Sequence, residues 1–153
     1  GAGAPSVASA WNKAGTWEER DVSSWALADV KARLSGLGTP MILVTKVGEV
    51  EGNASIISMR GKVKRPFELR CDVEWQGSDE LAGGCTSAGK LQYAEVCPAP
   101  TGSDCAVTYE LTESTSQLPA TPEERLSVHS EVEKLKQRVE GAFAEFVAEL
   151  GRK

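Results

Sequence analysis

Residues 67–75 read Phe-Glu-Leu-Arg-Cys-Asp-Val-Glu-Trp, and this stretch decides the fold. Apolar and charged side chains alternate along it without a break, as expected of a strand whose successive side chains point to opposite faces. An antiparallel sheet typically has one face buried against the core and one wet face, which is exposed to solvent. The stretch therefore predicts an antiparallel strand with one core-facing side. The core-facing residues are Phe67, Leu69, Cys71, Val73 and Trp75.

Further strands are predicted on both sides of this one. Residues 41–50 and 54–59 precede it and are rich in apolar and β-branched side chains, while residues 91–97 and 106–111 follow it. Residues 76–89 hold several glycines and serines and predict a loop. Together these runs indicate an antiparallel meander sheet of about four strands.

A short helix is predicted ahead of the strands. Ser23 or Ser24 is a good N-cap, and Leu27, Val30 and Leu34 follow at helical spacing. The glycine two residues later is placed to end the helix.

The strongest helix signal lies near the C-terminal end of the chain. Residues 121–124 read Thr-Pro-Glu-Glu, with Thr as N-cap, Pro at the first helical position and Glu at the third. Ion pairs from Glu131 to Lys134 and from Glu133 to Lys136 are expected on the wet face of this helix. The chain is therefore predicted to be α+β, with an N-terminal helix, the meander sheet and a long C-terminal helix packed along the sheet. The apolar stripe of the long helix comprises Leu126, Val132, Leu135, Val139, Phe143, Phe146 and Leu150.

Length and charge limit the class of protein. The chain has 153 residues and a net charge of −5, which suits a single domain over residues 11–153 and argues against a general nucleic-acid binder. Residues 1–10 are small and aperiodic, and we expect them to be disordered or left over from cloning. No apolar run approaches the roughly 18 residues that can cross a bilayer, and no signal peptide is evident. We therefore expect a monomeric cytoplasmic protein with no membrane partner.

Motifs for metal binding, cofactor binding and catalysis are absent from the sequence. The four cysteines form no CxxC pair and the one histidine, His129, lies far along the chain. Neither a zinc site nor a cofactor is therefore expected, and free thiols are favoured. No phosphate-binding loop, dinucleotide fingerprint, nucleophile elbow or HExxH motif occurs. The carboxylate pairs at 18–19 and 79–80 are interpreted as solvated charge, so the sequence predicts a binding module and not an enzyme.

A cluster of cations between residues 60 and 65 stands out in this acidic chain. Arg60, Lys62 and Lys64 share the parity of the wet residues of the 67–75 strand, so they should point to solvent together, whereas Arg65 has the core parity. Three interpretations remain open. The cations can protect a strand edge from aggregation, or they can dock on an acidic protein surface. Nucleic-acid binding is the third, and it is disfavoured by the net charge and by the lack of interleaved aromatic residues.

Five segments, in this order and spacing, resemble a known family. They are residues 17–21 (Trp-Glu-Glu-Arg-Asp), 51–56 (Glu-Gly-Asn-Ala-Ser-Ile), 60–62 (Arg-Gly-Lys), the alternating strand through Trp75, and 89–91 (Gly-Lys-Leu) leading to Glu95-Val96. In them the chain resembles the N-terminal domain of activators of the 90-kDa heat-shock chaperone ATPase. The resemblance covers nearly the whole chain from Trp17 onward. Family members often carry a second, C-terminal domain.

The resemblance implies a co-chaperone without a catalytic group of its own. It would bind the middle segment of the dimeric chaperone and also contact the N-terminal domains, remodel a catalytic loop and favour the closed dimer. The family's basic motif Arg-Lys-Gly-Lys falls on residues 59–62, so Met59 replaces its first cation. Its tryptophan-rich start matches at Trp17, with Trp11 and Asn12 as a distant echo. The predicted chaperone-binding residues are Asn53, Met59, Arg60, Gly61, Lys62, Lys64, Arg65 and Pro66.

Overall fold

The computed structural model describes residues 17–78, 87–100 and 106–153. These residues form eight strands and two helices. The strands are β1 (Trp17–Asp21), β2 (Gly38–Thr39), β3 (Ile42–Val47), β4 (Glu51–Met59), β5 (Lys62–Lys64), β6 (Phe67–Gly77), β7 (Ala88–Pro98) and β8 (Val107–Ser116). The helices are α1 (Ser23–Ser35) and α2 (Pro122–Leu150). The predicted α+β class is confirmed, and the short strands β1, β2 and β5 add to the predicted antiparallel sheet. The sheet is not a simple meander, because the consecutive strands β3 and β4 both pair with β6.

Strands β4, β5 and β6 form one long hairpin. The pairing keeps a single register from Glu51 opposite Arg70 to Met59 opposite Lys62. The turn at its end consists of residues 60 and 61, which have φ values of 50° and 80°. Positive φ at both central residues is the signature of a type I′ turn, whose twist matches that of the strands it joins. The basic stretch therefore lies at the closed end of this hairpin.

Strand β6 lies at the centre of the main sheet. One of its edges pairs with β4 near its start and with β3 near its end, while the other edge pairs with β7. β8 lies outside β7, and β2 lies outside β3. Every pairing is antiparallel, as predicted. Three strands are longer than predicted, since β6 and β7 reach Gly77 and Ala88 inside the predicted loop and β8 continues to Ser116. Strand β3 is shorter than the predicted 41–50.

The inner face of β6 packs against α2. All five residues predicted to face the core are buried. Phe146 of α2 lies edge-on against Phe67 with ring centroids 5.2 Å apart, and it stacks on Trp25 of α1 at 5.7 Å. Phe143 meets Tyr93 of β7 at 5.4 Å. Aromatic pairs at such distances contribute about 0.5–1.5 kcal/mol each beyond area burial. These contacts show that α2 covers the sheet, as predicted.

Helix α1 begins without a serine cap. Its N-cap residue is Val22, and the amide of Ser23 donates to Asp21 Oδ1 at 2.8 Å. The Ser23 hydroxyl accepts the amide of Ala54 at 3.0 Å, which ties the start of the helix to β4. The prediction that Ser23 or Ser24 caps the helix is therefore wrong, because a contact 31 residues away takes the Ser23 hydroxyl.

Helix α2 begins where the sequence predicts. Thr121 is the N-cap, and its hydroxyl oxygen accepts the amide of Glu124 at 3.2 Å. The predicted apolar stripe is buried from Val132 to Leu150, but Leu126 is 67% exposed. The prediction is wrong at Leu126 because the residues of α2 before Val128 are exposed or half-buried, and Val128 is the first buried residue of this helix.

Glu131 is buried and does not lie on the wet face of α2. Its carboxylate accepts a hydrogen bond from Lys134 Nζ at 2.7 Å and one from the Thr39 hydroxyl at 2.9 Å. The bond from the Lys134 ammonium, followed by that from Thr39, holds the pKa of Glu131 below its ordinary range although burial opposes this. The predicted Glu133–Lys136 pair is present at 2.6 Å. Glu131 therefore ties α2 to the start of the sheet and is not a surface charge.

Candidate docking surface

A three-stranded ribbon extends from the main sheet at the closed end of the long hairpin. Beyond Ala54, β4 pairs with β1 on one side and with β5 on the other. Every residue of these segments is exposed or half-buried, so the ribbon adds surface and little core. The ribbon consists of Trp17–Asp21, Ser55–Met59 and Lys62–Lys64.

Two cross-strand rows define one face of the ribbon. Residues directly opposite each other in antiparallel strands project to the same face. The first row is Trp17, Met59 and Lys62. The second row is Glu19, Ile57 and Lys64. We call these six residues the outer face, and it has an apolar centre with two lysines on the β5 edge.

The cations Arg60, Lys62 and Lys64 are exposed. Ion pairs within the described ranges join other groups, such as Lys90 with Asp72, and none of them involves these three cations. A cation without an internal counter-charge is available to a partner that carries carboxylates, and such pairs steer association and fix register. The β5 side of the outer face is therefore suited to a partner surface that places acidic groups beside an apolar contact, while Glu19 puts a carboxylate on the β1 side.

The two arginines at the ends of the basic stretch have different settings. Arg60 lies in the turn with its side chain exposed. Arg65 is half-buried, and its Nη2 donates to the carbonyl oxygen of Lys153 at 3.3 Å. Next to it, the carbonyl of Pro66 accepts the amide of Ser55 at 3.0 Å. Arg65 therefore faces the end of α2 and not the outer face, in agreement with its core parity.

The remaining predicted contact residues lie at the base of the ribbon, beside its turn or outside the described residues. Asn53 is exposed in β4 and has the same strand parity as Ile57 and Met59. Trp17 opens β1 directly opposite Met59. Trp11 and Asn12 lie outside the described residues.

A close approach between β4 and β6 marks the base of the ribbon. Gly52 has a φ of 134° and pairs with Leu69. A Cβ at this position would overlap the carbonyl oxygen of Glu68 and lie 2.9 Å from the Cα of Leu69. Glycine is the residue that satisfies both this φ and this spacing.

Sequence reasoning missed the apolar part of the ribbon. Ile57 is half-buried on the outer face, and Val63 is 47% exposed on the opposite face. The predicted chaperone-binding residues include Lys64 and Pro66 but neither Ile57 nor Val63. A signal was present, since Ile56 and Ile57 are consecutive, and one of two neighbouring strand residues must point away from the core.

Elsewhere in the described ranges, chemically reactive side chains do not converge. His129 is 71% exposed, and its Nε2 lies 3.9 Å from a Glu133 oxygen. Cys71 and Cys97 carry free thiols, and burial raises the pKa of Cys71 to about 12. No group of three His, Cys, Asp or Glu in these ranges could hold a metal ion. None of the helices described is long and apolar enough to cross a bilayer.

Comparison with known proteins identifies relatives of this fold. The family model described as "Activator of Hsp90 ATPase, N-terminal" matches residues 19–153. The crystal structure of Aha-1 from Plasmodium falciparum superposes with a TM-score of 0.64 at 20% identity, covering 88% of each chain. The solution structure of the human Aha1 N-terminal domain gives a TM-score of 0.59 at 18% identity, covering 86% of this chain and 93% of that one. No curated protein sequence matches this chain significantly.

Proposed function

This chain belongs to the family of N-terminal domains of Hsp90 ATPase activators, and we propose that it is a co-chaperone whose ribbon docks on the middle segment of Hsp90. The observation that carries the proposal is the outer face. Lys62 and Lys64 form no ion pair with any residue that the structure describes, and they flank an apolar centre at Met59 and Ile57. An acidic surface with an apolar patch on the chaperone would complement both features.

The activating effect is proposed to be conformational. Docking would remodel the catalytic loop of the middle segment and favour the closed dimer. An activator of this kind must bind the hydrolysis-competent state more tightly than the resting state. Each tenfold increase in rate requires about 1.4 kcal/mol of that preference. The chain is proposed to act as a cytoplasmic monomer and to contribute no catalytic group.

The residues that precede β1 are proposed to make a second contact with the chaperone. Trp17 pairs with Met59, so the chain preceding Trp17 is covalently joined to the ribbon beside its turn. Asn12 is five residues away along the sequence, a distance of at most about 18 Å when extended. Trp11 and Asn12 are therefore within reach of whatever surface adjoins the docked ribbon, and we propose that this is an N-terminal domain of the chaperone dimer.

Steady-state ATP hydrolysis by purified Hsp90 tests the proposal. Addition of the 153-residue chain should raise the rate, and calorimetry should detect binding to the isolated middle segment. The double variant Arg60→Ala/Lys62→Ala should weaken binding about 150-fold. This value follows from two charged contacts at about 1.5 kcal/mol each.

The matched control is Arg138→Ala, which removes an exposed cation from α2. It should leave both stimulation and affinity unchanged. Normal stimulation by the double variant would show that these cations only protect the β5 edge. Binding to a duplex oligonucleotide that exceeds binding to Hsp90 would favour the nucleic-acid interpretation instead.

A further inference from the structure

The two methionines of this chain differ sharply in their surroundings. Met59 is 48% exposed on the ribbon, whereas Met41 is half-buried and packs against the hydrophobic core. A thioether is oxidised by direct attack of its sulfur on a peroxide oxygen, so access to the sulfur governs susceptibility. The exposed position of Met59 therefore makes it the more reactive of the two.

Met59 also occupies the middle of the surface that is proposed to dock. It stands between Trp17 and Lys62 in the first row of the outer face and has the same strand parity as Ile57. Its side chain would therefore pass from solvent into an apolar contact when the outer face is covered. A change in the polarity of this one side chain would therefore alter the binding free energy at the centre of the contact and not at its rim.

We propose that Met59 is a site of reversible oxidation by hydrogen peroxide and that its sulfoxide weakens docking of the outer face. This inference rests on the proposed function. The sulfur attacks one peroxide oxygen, an S–O bond forms, the O–O bond breaks, and the departing oxygen leaves as water after proton transfer. The sulfur loses two electrons and the peroxide gains them. A methionine sulfoxide reductase with a thiol reductant restores the thioether.

The size of the effect follows from the polarity of the new group. A sulfoxide oxygen is a strong hydrogen-bond acceptor, and burying it in an apolar contact costs free energy unless a donor replaces its water. We expect at least tenfold weaker binding of the oxidised chain. If oxidation weakens binding by a given factor, then binding of the partner must lower the equilibrium constant for oxidation of Met59 by the same factor.

The test combines peptide-mapping mass spectrometry with calorimetry on purified Hsp90. The chain is treated with graded hydrogen peroxide, and sulfoxide is quantified at Met59 and at Met41. Binding is measured before oxidation, after oxidation and after repair by the reductase. Met41→Leu is the matched control and should retain full peroxide sensitivity. Met59→Leu, whatever its own affinity, should bind equally before and after peroxide.

Each outcome decides the inference. Preferential oxidation at Met59, with at least tenfold weaker binding that the reductase reverses, supports it. Equal oxidation of both methionines, or unchanged binding by a chain oxidised at Met59, overturns it while leaving the proposed function intact. A reduced chain that does not bind Hsp90 overturns the proposed function and, with it, the effect of oxidation on docking.

Discussion

We expect Gly52→Ala to lower the free energy of unfolding by about 3–5 kcal/mol. An alanine at a φ of 134° is strained by about 1–3 kcal/mol. Its Cβ would also overlap the Glu68 carbonyl oxygen and stand 2.9 Å from Leu69 Cα, inside the roughly 3.5 Å of optimal carbon contact. These are backbone atoms of the facing strand and cannot rotate away. Separating β4 from β6 would cost about two ladder hydrogen bonds at about 1 kcal/mol each.

Urea denaturation followed by tryptophan fluorescence and circular dichroism measures the loss. With a slope of about 2 kcal/mol per M, the midpoint should fall by roughly 1.5–2.5 M. Gly61→Ala is the matched control, because Gly61 also has positive φ, at 80°, but a Cβ there meets no atom within 4 Å. It should cost only about 1–2 kcal/mol. Equal losses for the two variants would refute the close approach of β4 and β6 at Gly52.

Three further predictions concern α2. Glu131→Ala should cost about 1–3 kcal/mol in chemical denaturation, because the buried Thr39 hydroxyl loses its acceptor. The lowered pKa of Glu131 means that its contribution is present above pH 4.5 and lost as the pH falls through the folded-state pKa. Glu131→Gln should therefore reduce the loss of unfolding free energy at acidic pH. An unchanged pH dependence would show that Glu131 is not responsible for that loss. Leu126→Ser should change stability by less than about 0.5 kcal/mol, while Leu135→Ala should cost about 2–5 kcal/mol; a large loss at Leu126 would show that the first turn is packed. Thr121→Ala should cost about 1 kcal/mol through loss of the N-cap, detectable in thermal melts, and no loss would mean that the cap is redundant.

The parts of the fold that were predicted from sequence are those whose signals are local. The alternation along β6 places Phe67 to Trp75 on the core side whatever the neighbouring strands are, and all five core-facing residues are buried. The start of α2 also has a local signal, since the Thr121 hydroxyl and the Glu124 amide that donates to it lie within four residues. The placement of Lys62 and Lys64 on one face of the long hairpin also follows from local parity, which separates them from Arg65.

The features that sequence reasoning missed depend on partners far along the chain. Glu131 has the spacing of a surface charge, and only its contact with Thr39, 92 residues away, shows that it is buried. Ser23 has the sequence signature of a helix N-cap, but its hydroxyl accepts the amide of Ala54 instead. The ribbon itself needs β1 to pair with β4 across more than thirty residues, and no local pattern specifies that pairing.

The hairpin register divides the basic stretch into parts with different physical roles. Lys62 and Lys64 lie on one face about 6.7 Å apart along β5, close enough to act on a single partner surface. Arg65 points to the other side, where its bond to the Lys153 carbonyl holds the ribbon against the end of α2. Edge protection and docking are therefore not alternatives for these lysines. The same charges that would keep the β5 edge from pairing with another strand form no ion pair within the described residues and are available to the partner that we propose, whereas Arg65 supports the ribbon that presents them.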